Sequence, residues 1–550
     1  MPSGVGRVSG ATLRVLAALV ERPFFGRLLT KVVRAELGID AARALAPRTR
    51  GPVPFGVEPH RARLPRAAVS DLPLPPTAVP RASRALTAAY RSRETTPLAV
   101  VGRALAAAET FGPRAPLCTR DDERALAEAR AATERFERGA PLGELDGVPL
   151  VVKEEIDALG FPTRLGTSFM PATPAGRDAP LVARLRRAGA IVIGQTPMTE
   201  YGLSPLGVNP HRRMPRNARS VNHLAGGSST GSAVAVALGL APLGLGTDGG
   251  GSIRLPAAYN GVFGLKPTYG RVPCTGDGMF GGTSVVHFGF IGASSHDIAL
   301  ALELGSGPDA GDPASLVAPP LAHGECVAAL GRGVRGLKLG VPEGEWASAG
   351  AAVARAGKDA LRALEREGAE LVPLELPLAR HAAAIGYMTI SLEALVGLRE
   401  VLATHAADLG ADLRIFLASS GAFQPDDYVE GQRLREALRV EMANALRRVD
   451  LVCLPSSAGV APPITDAEAA SGILDTHALD AACRFAFLGN LTGLPACSAP
   501  VGEDAGLALG LQFVGDAWDE ACVLAAMAHL ERLGVTRLEP APNALDLLKP

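Results

Sequence analysis

Three stretches of this 550-residue chain place glycine, serine and lysine where a core element would place bulk. Gly147 to Lys153 (GVPLVVK) is an apolar run that ends in a lysine. Gly226 to Ser232 (GGSSTGS) precedes a run of small apolar residues. Gly246 to Arg254 (GTDGGGSIR) sets three glycines directly before a serine. Consecutive glycines at 249, 250 and 251 allow positive φ and leave backbone N–H groups free to face a small site. With the hydroxyl of Ser252 beside them, they make a nucleophile next to an oxyanion hole, where each donor is worth roughly 3–4 kcal/mol to an acyl-transfer transition state. A glycine-rich phosphate cradle or a plain tight turn fits the same three glycines. Serine needs a base to attack. The only histidine near either glycine segment is His223, so Lys153 is the alternative base if it is buried and uncharged. Its ordinary reading is a solvated lysine paired with Glu154 or Glu155. The hydroxyl of Ser228 can accept from one partner while donating to another, which suits a bridge between lysine and serine. A helix N-cap is the competing use of Ser228, and Ser229 or Thr230 fits a cap equally well.

The elements that must hold these residues alternate along the chain. Helical patterns at 180–188, 231–240, 358–367 and 434–448 are each followed by an apolar strand-like run, at 191–194, 243–246, 370–374 and 450–454. Strand-like 497–501 and 509–514 then precede a closing helix at 519–533. Alternation of this kind argues for an α/β sheet covered by helices on both faces. Prolines crowd Gly51 to Pro80, the composition of a linker or wrapping arm. The expected organisation is a helical segment over 1–50, an arm over 51–96 and a catalytic body over 97–540.

Composition excludes several partners. Apolar residues make up 47% of the chain and the formal charge is −1, so nothing points to nucleic acid. The seven cysteines form no CxxC pair and read as buried small hydrophobes of a reducing compartment, which makes the cytoplasm the expected location. The ten histidines lack any metal-ligand spacing, so no metal is expected. No apolar run reaches the roughly 18–20 residues of a membrane span. Residues 1–50 carry nine Lys/Arg against three Asp/Glu, with Leu13, Leu16, Val20 and Phe24 at helical spacing. Peripheral membrane contact by residues 10–35 fits that pattern, but packing on the protein's own body with a solvated basic face is the favoured reading. A homodimer is compatible with the sequence.

Gly226–Val272 (GGSSTGSAVAVALGLAPLGLGTDGGGSIRLPAAYNGVFGLKPTYGRV) resembles the amidase signature nearly end to end. Asp146–Asp157 (DGVPLVVKEEID) resembles that family's lysine strand, and Arg184–Gly202 its following helix and strand. Gly489–Gly502 and Gly510–Ala528 resemble its C-terminal part, so the likeness runs from about Pro97 to Leu533. The resemblance implies the amidase signature fold, a large mixed, mostly parallel central sheet with helices on both faces. It implies hydrolysis of a small-molecule amide with no cofactor. By position it assigns Ser252 as nucleophile, Lys153 as base and Ser228, after a cis peptide bond, as the bridge. The oxyanion hole maps to Gly249, Gly250, Gly251 and Ser252, and Asp248 and Arg254 match flanking charged residues expected to pair. Thr230, Gly249 and Gln195 depart from the family's usual glycine, threonine and lysine without removing a catalytic atom. Residues 283–293 depart further, at the expense of any carried-over substrate contact. Three rival readings stand beside this one. Gly227-Ser-Ser-Thr-Gly231 fits a G-x-S-x-G elbow with Ser229 as nucleophile; the chain could be the ammonia-producing component of a tRNA-dependent amidotransferase; or it could be a catalytically dead binding protein on the same scaffold.

Overall fold

A computed structural model describes residues 7–45, 59, 61–62, 72–75, 82–276, 278, 284–421 and 423–549. Most of the proline-rich arm, Thr283 and the Phe24 side chain lie outside the described residues. The centre is a ten-stranded sheet. In chain order its strands are β1 (Pro149–Lys153), β2 (Ile191–Thr196), β3 (Leu243–Asp248), β4 (Phe263–Lys266), β5 (His287–Gly292), β6 (Lys338–Pro342), β7 (Glu370–Leu374), β8 (Leu451–Pro455), β9 (Ala496–Asp504) and β10 (Leu507–Gly515). Across the sheet they lie β2-β1-β3-β5-β4-β9-β10-β8-β6-β7.

Strand β1 runs parallel to both neighbours and is buried along its whole length. Leu150 and Val152 enter one hydrophobic core and Val151 another, as a two-residue period requires of a strand covered on both faces. The sheet is mixed, with four parallel pairings and five antiparallel ones, which corrects the mostly parallel expectation. The antiparallel share comes from the middle. There β4 pairs antiparallel with β5, and β9 and β10 form a hairpin. Its two-residue loop has Ala505 at φ 50 and Gly506 at φ 79, both in the left-handed region that matches strand twist.

Helix α1 (Gly10–Val20) and helix α2 (Pro23–Glu36) lie against the body. Leu13, Ala17 and Val20 are buried with Ile415, as expected for an amphipathic helix packed on its own protein. That packing accounts for one face only, because Val15, Phe25, Leu28 and Val32 remain exposed. Among the described residues no helix is long and apolar enough to cross a membrane. The described parts of the arm touch the body: the Ala62 N–H donates to Asp516 and the Leu72 N–H to the Gly331 carbonyl.

Candidate active site

Lys153 and Thr247 stand at the carboxyl ends of adjacent parallel strands, because Val152 of β1 registers with Leu245 of β3. This is where open α/β sheets hold ligands. Lys153 is fully buried. Its Nζ lies 2.8 Å from Ser228 Oγ, 2.5 Å from Thr247 Oγ1 and 2.6 Å from Glu155 Oε2. Thr247 Oγ1 in turn donates to the same Glu155 oxygen at 2.6 Å. The lysine is therefore not solvated, although Glu155 is its partner as the ordinary reading had it. Glu154 points elsewhere, accepting from the Met198 N–H at 3.2 Å and from Arg212 at 2.5 Å. Burial pushes its carboxyl up from the usual range, and Arg212 opposes that.

Ser228 follows a cis peptide bond from Gly227 and precedes helix α3 (Thr230–Ala237), all of whose residues are buried. The helix packs closely because its residues are small; a Cβ at Gly231 would meet Pro197 Cδ at 2.5 Å. Ser229 occupies the N-cap position, yet its side chain does not cap. Its Oγ donates to the Thr247 carbonyl and accepts from the Thr247 N–H, at 3.2 and 3.3 Å. Both polar directions of this buried hydroxyl are taken up by β3, which weighs against the G-x-S-x-G elbow reading. His223 sits outside the site, with its Nδ1 2.8 Å from Ser220 Oγ.

The 249–252 loop turns from β3 into helix α4 (Arg254–Asn260). Gly251 has φ +114, and a Cβ at Gly250 would meet the Phe487 ring at 2.6 Å, so both positions need glycine. Asp248 organises the loop. Its carboxylate accepts from the N–H groups of Gly251 at 2.7 Å and Ile253 at 3.2 Å, and from Arg254 Nη2 at 2.9 Å and Nε at 3.0 Å. Burial alone would raise this carboxyl, but Arg254 and the hydrogen bonds from Arg254, Asn490 and Gly251 outweigh it and hold it far below the usual range. The expected Asp248–Arg254 pair is thus formed, at 2.9 Å and almost wholly buried. Two residues that sequence reasoning left without a role complete it. Asn490 accepts from Arg254 Nη2 at 2.6 Å and donates to the Asp248 carbonyl at 2.7 Å, and Gln512 accepts from Arg254 Nη1.

Asp248 also changes the oxyanion set. The Gly251 N–H is already given to the carboxylate and is withdrawn from the expected four donors. Among the described residues, the N–H groups of Gly249, Gly250 and Ser252 have no acceptor and stay available. Ser252 is half-buried, and its Oγ has no hydrogen-bond partner among the described residues. The two serine-bearing loops are joined by the Ser229 N–H, which donates to the Ser252 carbonyl at 3.1 Å. Of the expected proton path, the lysine–Ser228 link is closed and the Ser228–Ser252 link is not. Catalytic hydrogen bonds are often loose in an unliganded enzyme and tighten around substrate.

A second buried lysine lies behind this loop. Lys266 Nζ donates to the Pro267 carbonyl at 2.8 Å, and burial, then Arg254, push its amine well below the usual range. No hydrogen bond joins it to either serine. A cavity lined mainly by apolar side chains, including Val33, Leu203, Pro205, Leu413 and Phe416, opens between α2 and the segments around 203–210 and 412–420. Gly202, next to Leu203, faces the site: a Cβ there would stand 3.3 Å from Ser228 Oγ.

The amidase family model matches residues 99–524. A fatty acid amide hydrolase of Oryza sativa subsp. indica is 31% identical over 98% of this chain and 95% of its own length. One component of the glutamyl-tRNA(Gln) amidotransferase of Anaeromyxobacter sp. (strain K) is 36% identical over 76% of this chain and 89% of its own. A solved amidase superposes with a TM-score of 0.71 at 34% identity, covering 81% of this chain and 98% of that one. The chain belongs to the amidase signature family and is an amidase, a hydrolase of carbon–nitrogen amide bonds.

Proposed function

We propose that the enzyme cleaves long-chain acyl amides through an acyl-Ser252 intermediate. Ser252 attacks the amide carbonyl while its proton passes through Ser228 to Lys153. The oxyanion is received by the N–H groups of Gly249, Gly250 and Ser252. Lys153 returns the proton by the same route to the departing amine, and water releases the acid. The observation that carries this reading is the 2.8 Å link from the buried Lys153 amine to Ser228, on a loop bonded to the Ser252 backbone. The acyl class is supported by the apolar cavity that Leu203 lines, one residue along the chain from Gly202, and by the relative named for fatty acid amides, whose likeness takes in α1 and α2 as well as the body. The amidotransferase relative matches a smaller share of the chain, which favours a free-standing amidase. All seven cysteines are free and five of them buried, which supports a reducing, cytoplasmic setting.

The test is a series of primary amides from two to eighteen carbons, given to the purified chain alone. Each methylene taken into an apolar cavity is worth up to ~0.8 kcal/mol, so kcat/KM should climb with length until the cavity fills. A flat or falling series overturns the acyl assignment, and turnover that requires an added partner chain favours the amidotransferase reading.

A further inference from the structure

The amine of Lys153 has three directions open beyond its own Cε, and the structure fills each one. Ser228 Oγ, Thr247 Oγ1 and Glu155 Oε2 lie at 2.8, 2.5 and 2.6 Å. Two of these groups are constrained as acceptors. Glu155 is a carboxylate. Thr247 gives its own proton to Glu155, which leaves its lone pairs for the lysine. An uncharged amine has two N–H bonds and one lone pair. With both N–H bonds taken by Thr247 and Glu155, the lone pair is left aimed at Ser228, the one hydroxyl from which a base would collect a proton. Once the proton arrives, the same carboxylate faces the ammonium that has formed.

We propose that Glu155, acting together with Thr247, is the positioning residue of the base: it turns the Lys153 lone pair toward Ser228 and stabilises the charge that Lys153 takes on as Ser252 attacks. This rests on the Lys153–Ser228–Ser252 reading above. In the step the Ser252 O–H bond breaks, Ser228 takes that proton as it gives its own to Lys153, and one new N–H bond forms on the lysine. Charge moves from a neutral serine–amine pair to an ammonium beside Glu155 and an oxyanion in the glycine loop. No oxidant or further reactant enters.

Glu155 is the charged group that touches this amine among the described residues. The other elements around it present neutral or committed groups. Thr196, its register partner on β2, is bonded to Ser232. Ser228 and Thr247 are hydroxyls. Asp248 is held by Arg254, and Glu154 faces Arg212. Glu154 and Glu155 are thus adjacent buried carboxylates of which one serves the lysine, and comparing them separates a positioning role from the general loss of a buried charge.

The experiment follows the second-order rate of Ser252 labelling by a fluorophosphonate from pH 5 to 10, in the full-length chain and its Glu155→Gln, Glu155→Asp, Glu154→Gln and Thr247→Val variants. A neighbouring carboxylate favours the protonated amine. Its loss should therefore move the acid limb of the profile to lower pH, while the plateau falls tenfold or more because the ammonium has lost its support. Glu155→Asp should bring the limb back toward wild type, and Glu154→Gln should leave the limb in place. If Glu155→Gln does not fold, Thr247→Val carries the test, with a plateau at least tenfold lower expected. A limb that stays put in Glu155→Gln, or one that moves equally in Glu154→Gln, overturns the proposal, as does wild-type labelling in Thr247→Val. If the wild-type chain is not labelled at all, the underlying catalytic reading has failed instead.

Discussion

Replacing Asp248 with asparagine removes one charge without changing shape, and the surroundings dictate the consequence. One carboxylate oxygen receives the Gly251 N–H, Arg254 Nη2 and Asn490 Nδ2. The other receives the Ile253 N–H and Arg254 Nε. Whichever way the new amide sits, its NH2 group faces donors, and the guanidinium of Arg254 loses its counter-charge in a site that is 1% exposed. Removing one partner of a buried pair destabilises by about 3–5 kcal/mol. Gln512, Asn490 and the Ala486 carbonyl still accept from Arg254, so about 3 kcal/mol is expected. Urea unfolding at pH 7, followed through the buried Trp346, measures it. The pH dependence supplies an internal check. Asp248 is depressed in the folded state, so its contribution is complete above the unfolded value near 3.9 and is lost as pH falls toward the folded one. The gap between wild type and variant should hold from pH 7 to 5 and shrink by about 1 kcal/mol at pH 3. A gap below ~1 kcal/mol at pH 7, or one that does not shrink in acid, refutes the claim that this ion pair holds the nucleophile loop.

Two further substitutions test the loop geometry. Ser229→Ala removes the hydroxyl bonded to both polar groups of Thr247; it should destabilise by about 1–2 kcal/mol yet be labelled by a fluorophosphonate within a few-fold of the wild-type rate, whereas loss of labelling would revive the elbow reading. Gly251→Ala combines φ +114 with a Cβ contact at 2.7 Å to Ala486. Strain and overpacking together should cost about 2–4 kcal/mol and slow labelling at least tenfold, and a variant as stable and as fast as wild type would contradict the need for glycine.

What could be read from local sequence and what could not differ in a physical way. The lysine strand was legible because an apolar run that must be buried on both faces ends in one charged residue, Lys153. Helix α3 was legible as an unbroken series of small residues, though its first residue is Thr230, one earlier than expected. The four-residue β4 and its partner β5 left no such trace. They carry glycine, and β4 pairs with β9 more than two hundred residues away, so neither their existence nor the direction of the central pairings follows from local pattern. Distance along the chain also hid Asn490 and Gln512, which meet Arg254 across 236 and 258 positions. The withdrawal of Gly251 from the oxyanion set did have a local signal. Asp248 stands three residues before it, and aspartates often bind the backbone of the turn they open. Glu155 was visible as a neighbour of Lys153, but its tie to Thr247 spans 92 positions and needed the sheet register to appear.

Turnover requires that a proton leave Ser252 for Lys153 by way of Ser228. Mass spectrometry of fluorophosphonate-treated protein tests it most directly, by locating the adduct and timing its formation in wild type and in Ser252→Ala, Ser228→Ala and Lys153→Ala. The expected result is an adduct on Ser252, none in Ser252→Ala, and formation slowed about a hundredfold or more in the other two, the usual scale for losing general-base catalysis. An adduct on another residue, or a Lys153→Ala variant labelled as fast as wild type, would contradict it.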